Sequence, residues 1–230
     1  MMLIKTCFTI LLSFWLLHPV ARADLAKGLE AVEAGHWPTA LAEFKPLANQ
    51  GDPNAQVNLG NLYMRGLGVE QDYGSAYGWY AKAANQGHAT GQNKLAVMLY
   101  YGLGIKENHT EAAQWFLKAA EQGDPAAAMV IAELFDKGDG VPASKIDAYI
   151  WLSIAADLGK EDALNERAHL ADELSPNDLN NALTQLNVWR GQQDKRQTDF
   201  ANGQLDNPVA NKKARSGSPP QSTKSKSANR

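Results

Sequence analysis

Asn54-Ala55-Gln56-Val57-Asn58-Leu59-Gly60-Asn61-Leu62-Tyr63-Met64-Arg65-Gly66-Leu67-Gly68-Val69 is the stretch that decides the fold, because the chain says it again twice. Gly66-Leu67-Gly68-Val69 returns as Gly102-Leu103-Gly104-Ile105 and as Gly138-Asp139-Gly140-Val141. Trp79 returns as Trp115 and Trp151, Ala83-Ala84 as Ala119-Ala120 and Ala155-Ala156, and Gly87 as Gly123 and Gly159. The spacing is 36 residues each time, without insertion or deletion. A fixed period in this range marks a solenoid, in which each unit buries its apolar face against the next.

Each unit reads as helix, loop, helix. Ala55, Leu59, Leu62 and Tyr63 share one helical face, as do Leu95, Met98 and Leu99, and Ile131, Leu134 and Phe135. Gly60, Ala96 and Ala132 keep a flank small, so that a neighbouring helix can approach. Gly66, Gly102 and Gly138 stand where the first helix must stop, in the left-handed conformation that glycine enters cheaply. Val69, Ile105 and Val141 then plug inward from the loop. Asp72, Asn108 and Ser144 follow at the same interval; unlike as they are, each can cap the first amides of a helix. Glu111 and Asp147, three residues on, suit a capping box. The second helix packs Ala76, Tyr80 and Ala83, and Trp79, Trp115 and Trp151 read as three copies of one inward-facing position.

Working outward, Asp24 to Asp52 is a helical pair without the Gly-x-Gly loop, a divergent first unit. Residues 161–190 form the closing cap: Ala163 to Leu174 is amphipathic, and Ser175-Pro176 starts a last helix that Leu179, Leu183, Leu186 and Trp189 carry to about Arg190. From Gly191 to Arg230 no apolar period survives, and the composition predicts a disordered tail. The first 23 residues read as a secretory signal, with Lys5, the apolar run Phe8 to Leu17 and the small-x-small Ala21-Arg22-Ala23. Cleavage is expected after Ala23, giving a periplasmic or secreted protein with no transmembrane segment in the mature chain.

Composition excludes several function classes. The one cysteine, Cys7, lies in the signal, so the mature chain has no disulfide, thiolate metal site or cysteine nucleophile. Of 22 basic and 25 acidic residues, 8 and 3 fall in 191–230 and 2 and none in 1–23. That leaves 12 basic and 22 acidic residues for 24–190, a net of −10 against +5 for the tail. So acidic a body is a poor nucleic-acid binder. His36, His88, His109 and His169 have no metal-ligand spacing, and His88 and His109 lie at helix ends. Asp136-Lys137-Gly138-Asp139-Gly140 lacks the alternating carboxylates of a calcium loop. The Gly-x-Gly turns follow helices rather than strands, so they are not phosphate loops. Ser75, Ser144, Ser153 and Ser175 offer no nucleophile elbow and no lysine at the penicillin-enzyme spacing. No catalytic, metal or cofactor constellation emerges.

A binding surface remains. With Leu59 at the centre of the buried face, residues 58, 61 and 65 fall on the far side of the first helix at about 100° per residue. Asn58, Asn61 and Arg65 correspond to Lys94, Val97 and Tyr101, and then to Val130, Glu133 and Lys137. The row varies from unit to unit while the core positions match. In a helical-pair solenoid the first helices line the concave face, where extended partners lie.

On the quoted stretch, with Asp72, Ala76, Trp79, Lys82-Ala83-Ala84 and Gly87, the units resemble the Sel-one-like repeat family, a branch of the tetratricopeptide superfamily. The third unit departs most, with Asp139 inside its Gly-x-Gly loop and Ile154 where the others have Lys82 and Lys118. The resemblance covers 54–160 closely (54–88, 89–124 and 125–160) and 24–53 and 161–190 loosely. It implies an all-α, right-handed α/α solenoid that scaffolds protein complexes, exported bacterial members acting in envelope assembly, secretion or host contact. Some secreted relatives carry paired cysteines and are described as penicillin-binding or β-lactamase-like; this chain lacks those cysteines. The expectation is therefore a non-catalytic adaptor, a monomer or weak oligomer, holding a peptide segment or partner domain. An envelope hydrolase acting on β-lactams or peptidoglycan is the alternative.

Overall fold

The computed structural model describes residues 23–201, and the expectations for 1–22 and 202–230 fall outside them. Among the described residues there are ten α-helices and no strand. They are α1 (Leu25–Glu33), α2 (Trp37–Asn49), α3 (Pro53–Arg65), α4 (Tyr73–Asn85), α5 (Ala89–Tyr101), α6 (His109–Glu121), α7 (Pro125–Lys137), α8 (Lys145–Asp157), α9 (Asp162–Glu173) and α10 (Pro176–Ala201). Helices α3, α5 and α7 start 36 residues apart and have 13 residues each, as have α4, α6 and α8. Helix α2 is in phase with the second set, so the divergent first unit keeps the register. From α1 to α9 each helix packs on the next in sequence, and α10 folds back onto α8.

The chemistry of the loops explains the regularity. Gly66, Gly102 and Gly138 close α3, α5 and α7 with φ of 67°, 64° and 70°. The second glycine of each loop has a separate reason. A Cβ on Gly68 would stand 2.9 Å from the Trp37 backbone, on Gly104 2.8 Å from that of Tyr73, and on Gly140 2.3 Å from the carbonyl oxygen of His109. Residues 37, 73 and 109 are one repeat position, the first of α2, α4 and α6. Each loop is thus seated against the previous unit, and its second glycine is what lets the two backbones meet.

Asp72, Asn108 and Ser144 cap α4, α6 and α8, each accepting the amide three residues on. The return half of the expected capping box is not formed by Glu111, which instead takes the Asn108 side-chain amide at 3.1 Å. The backbone amides of Asp72, Asn108 and Ser144 already donate to the carbonyls of Tyr63, Leu99 and Phe135. The cap therefore ties the second helix to the first.

A glutamine ladder runs through the array. Within a unit Gln86 donates to Gln56 and Gln122 to Gln92, while Gln56 and Gln92 donate to the carbonyls of Ala48 and Ala84 in the unit before. The side chains of Gln56 and Gln92 are buried with their polar atoms paired.

Two expectations are corrected. Of the three tryptophans only Trp151 is fully buried, at 1% exposure. Trp79 and Trp115 are half-buried under Lys82 and Lys118, whose ammonium groups stand 3.7 and 3.9 Å from the rings. The difference is α10, whose Trp189 meets Trp151 edge-on at 6.4 Å. Ile154, which replaces the lysine in this unit, is fully buried. The other correction is that helix continues past Arg190 to Ala201, where disorder was expected. Arg190 forks onto Asp157 through Nε and Nη2, at 2.8 and 2.9 Å, and pins α10 to the end of α8. Beyond it Gln192, Gln193, Lys195 and Arg196 are good helix formers, and extending a nucleated helix requires no new nucleus.

Candidate functional site

The first helices α5 and α7 of adjacent units flank a hollow of about 140 Å³, with Phe116 of α6 behind it. Val97, Tyr100 and Tyr101 line it from α5, and Val130, Glu133 and Leu134 from α7. Four residues of the expected row, Val97, Tyr101, Val130 and Glu133, are brought together here. Phe116 is 2% exposed and Leu134 likewise, so the back of the hollow is the core itself. Tyr101 is 66% exposed, the most of any large hydrophobic side chain among the described residues. Its ring meets Tyr100 edge-on at 5.0 Å.

The rest of the row has other roles. Asn61 accepts the hydroxyl of Tyr80 at 2.8 Å, which satisfies a phenol that Gly60 makes room for. Asn58 donates back to the Asn54 carbonyl. Lys137 pairs with Glu133 one turn away. Arg65 and Lys94 are exposed and lie outside the hollow.

Beside the hollow is a cluster that the sequence reading did not assemble. Tyr100 donates to Asp139 Oδ2 at 2.8 Å, and His109 Nδ1 meets Asp139 Oδ1 at 2.5 Å. His109 Nε2 pairs with Glu107, and the imidazole lies against the Tyr100 ring at 4.4 Å. The bond to Asp139 raises the pKa of His109, and the bond to His109 lowers that of Asp139, each favouring the charged form. The same carboxylate pushes Tyr100 up to about 12. The signal was there in outline: Asp139 stands where the other loops have Leu67 and Leu103. The cluster joins unit three to unit two and fixes the Tyr100 ring at the edge of the hollow.

This pairing has a pH signature. A histidine whose folded pKa is raised contributes stability in full below its ordinary value near 6.5, and that contribution is lost as the pH rises through the folded pKa. The melting-temperature gap between the wild-type chain and His109→Asn is expected to be largest near pH 6 and to close in mildly alkaline buffer. A gap that widens with pH would contradict the ion pair. His88 behaves oppositely. It caps α5 by accepting the Gly91 amide on Nδ1, which requires the neutral ring, and burial lowers its pKa.

Among the described residues no group of histidines and acids is placed to hold a metal ion, and no helix is long and apolar enough to cross a membrane.

The Sel1 repeat family matches residues 53–88, 89–124 and 125–160. Among solved structures, a Sel1 repeat protein from Oxalobacter formigenes is 35% identical with a TM-score of 0.61, over 63% of this chain and 59% of that one. A protective antigen present in uropathogenic Escherichia coli strains, displaying an SLR fold, is 31% identical with a TM-score of 0.57, over 64% of this chain and 36% of that one. The alignment thus takes in less than two thirds of either neighbour's length. No curated protein matches. Sel1 repeats generally serve as scaffolds for protein–protein interaction rather than as catalysts.

Proposed function

We propose that the chain, which carries three Sel1 repeats at its centre, is an exported, non-catalytic adaptor of the Sel1-repeat kind that seats one apolar side chain of a partner protein between α5 and α7. The observation that carries this reading is the hollow itself, walled by Val97 and Val130, backed by Phe116 and overhung by an exposed Tyr101. The hollow opens beside an aromatic ring that solvent reaches. Contacts of this kind dominate binding energy, because a few aromatic anchors in desolvated pockets carry most of it. A partner segment laid along α5 and α7 would place its neighbouring residues near Glu133 and Lys137. The setting is the bacterial envelope, in assembly, secretion or host contact. The support for that setting is the signal-like first 23 residues.

Tyr101→Ala is expected to weaken capture of the partner by roughly 30-fold, the equivalent of about 2 kcal/mol. Its melting temperature should stay within about 2 °C, since the removed ring is largely in water. A stable Tyr101→Ala protein that captures its partner fully would remove the hollow as the site. A penicillin-hydrolysis assay on the mature chain separates this reading from the hydrolase alternative. Turnover abolished by a single substitution would overturn the adaptor.

A further inference from the structure

Glu43 lies on α2 between the buried Ala40 and Phe44, and is itself 9% exposed. Few carboxylates are buried so far unless both oxygens are satisfied. Oε1 takes the ammonium of Lys27 at 2.5 Å, and Oε2 accepts the backbone N–H of Asp24 at 2.9 Å. The second donor is the nitrogen of the Ala23–Asp24 peptide bond, the bond at which removal of the first 23 residues is expected. Hydrolysis of that bond adds water across it: the Ala23 carbonyl carbon gains the hydroxyl, the Asp24 nitrogen gains hydrogen, and the freed amine takes a proton from solvent. The atom already bonded to Glu43 becomes an α-ammonium group.

We propose that Glu43 is a receptor for the N-terminus that processing creates, so that the mature chain closes its first helical pair with an ion pair between the Asp24 α-ammonium and Glu43 that the unprocessed chain lacks. The inference rests on the cleavage site assumed in the export reading. No backbone movement is required, because donor and acceptor are already at hydrogen-bond distance. The bond that forms is charge-assisted and stronger than the amide bond it replaces.

The surroundings favour a cation. A hollow of about 330 Å³ beside Asp24 is lined by Ala23, Asp24, Leu25, Leu47 and Asp52. Asp24 and Asp52 use their carboxylates to cap α1 and α3. Glu43 and Asp24 both act on the Lys27 ammonium, whose side chain is 59% exposed. Cleavage removes Ala23 and adds a positive charge there.

The contact also falls where the fold needs it. Helix α1 has 9 residues and buries Gly28 and Ala31, with Leu25 and Val32 half-buried beside them. An ion pair at its first turn fixes the terminal unit against fraying.

The test uses two full-length mature chains released from a cleavable fusion, one beginning at Asp24 and one at Ala23. The second carries its amine one residue, about 3.8 Å, further along the chain. At neutral pH the chain starting at Asp24 is expected to melt about 2–4 °C higher. A raised α-amine contributes in full below its unfolded pKa of about 8, and its contribution is lost above the folded one, so the gap closes in alkaline buffer. In Glu43→Gln the gap disappears. Equal melting of the two chains overturns the proposal. So does a gap that survives in Glu43→Gln. Direct titration of the Asp24 α-amine needs no variant: a value at least about one unit above the ordinary 7.7–8.0 supports the ion pair, and an ordinary value sinks it. N-terminal sequencing of the exported protein reads the premise separately. A mature chain beginning elsewhere would end the role in maturation, whatever Glu43 does in vitro.

Discussion

Gly140→Val should destabilise the protein by roughly 3–5 kcal/mol, more than any other single change in the Gly-x-Gly loops. Two costs add. A branched side chain at φ 70° costs about 1–3 kcal/mol in backbone strain. The new Cβ would also stand 2.3 Å from the His109 carbonyl oxygen and 2.6 Å from its carbon. Those atoms are backbone and cannot step aside, so the loop must lift off α6, an overpacking cost of about 1–3 kcal/mol. Gly102→Val bears the strain alone, because its Cβ would meet nothing nearer than 3.4 Å. It should cost roughly 1–3 kcal/mol. Thermal melts followed by helical circular dichroism compare the two. Equal losses would mean that the second glycine is not the seam between units.

Trp151→Ala should cost about 3–5 kcal/mol, the loss expected for a fully buried large aromatic. Trp115→Ala, at the same repeat position, should cost about 1–2 kcal/mol, since that ring keeps a solvated face under Lys118. The comparison is internal to one protein and one helix position. Closely similar losses would show that α10 does not seal the end of the array through Trp189 and Ile154.

The architecture was legible because a solenoid repeats its instructions. The period, the glycines that stop α3, α5 and α7, and the unlike caps Asp72, Asn108 and Ser144 are local features, and each could be read within a single unit. What could not be read lies between units. The clash partner of Gly140 is two helices back in sequence, at His109. The bonds from Gln56 to the Ala48 carbonyl and from Gln92 to the Ala84 carbonyl cross an interface whose offset no helical period encodes. The hollow was half legible: the helical angle alone grouped Val97, Tyr101, Val130 and Glu133. Phe116 was missed because it sits on a second helix and reads as core. The Tyr100–Asp139–His109–Glu107 cluster was missed for the same reason, although Asp139 had announced itself by breaking the leucine pattern. Past Arg190 the composition misled, since a helix anchored by Arg190 on Asp157 can run on without an apolar face of its own.

The central claim is that the partner sits between α5 and α7. It is tested most directly by placing a photo-crosslinking residue at position 101 and, as a control, at the exposed Gln114 on α6, in the protein expressed with its first 23 residues in a bacterial host. Irradiation should join position 101 to a discrete protein partner, and Phe116→Ala, which empties the back of the hollow, should reduce that adduct while position 114 stays unlinked. An adduct at 114 with none at 101 would place the partner on the other helix of the unit and contradict the account.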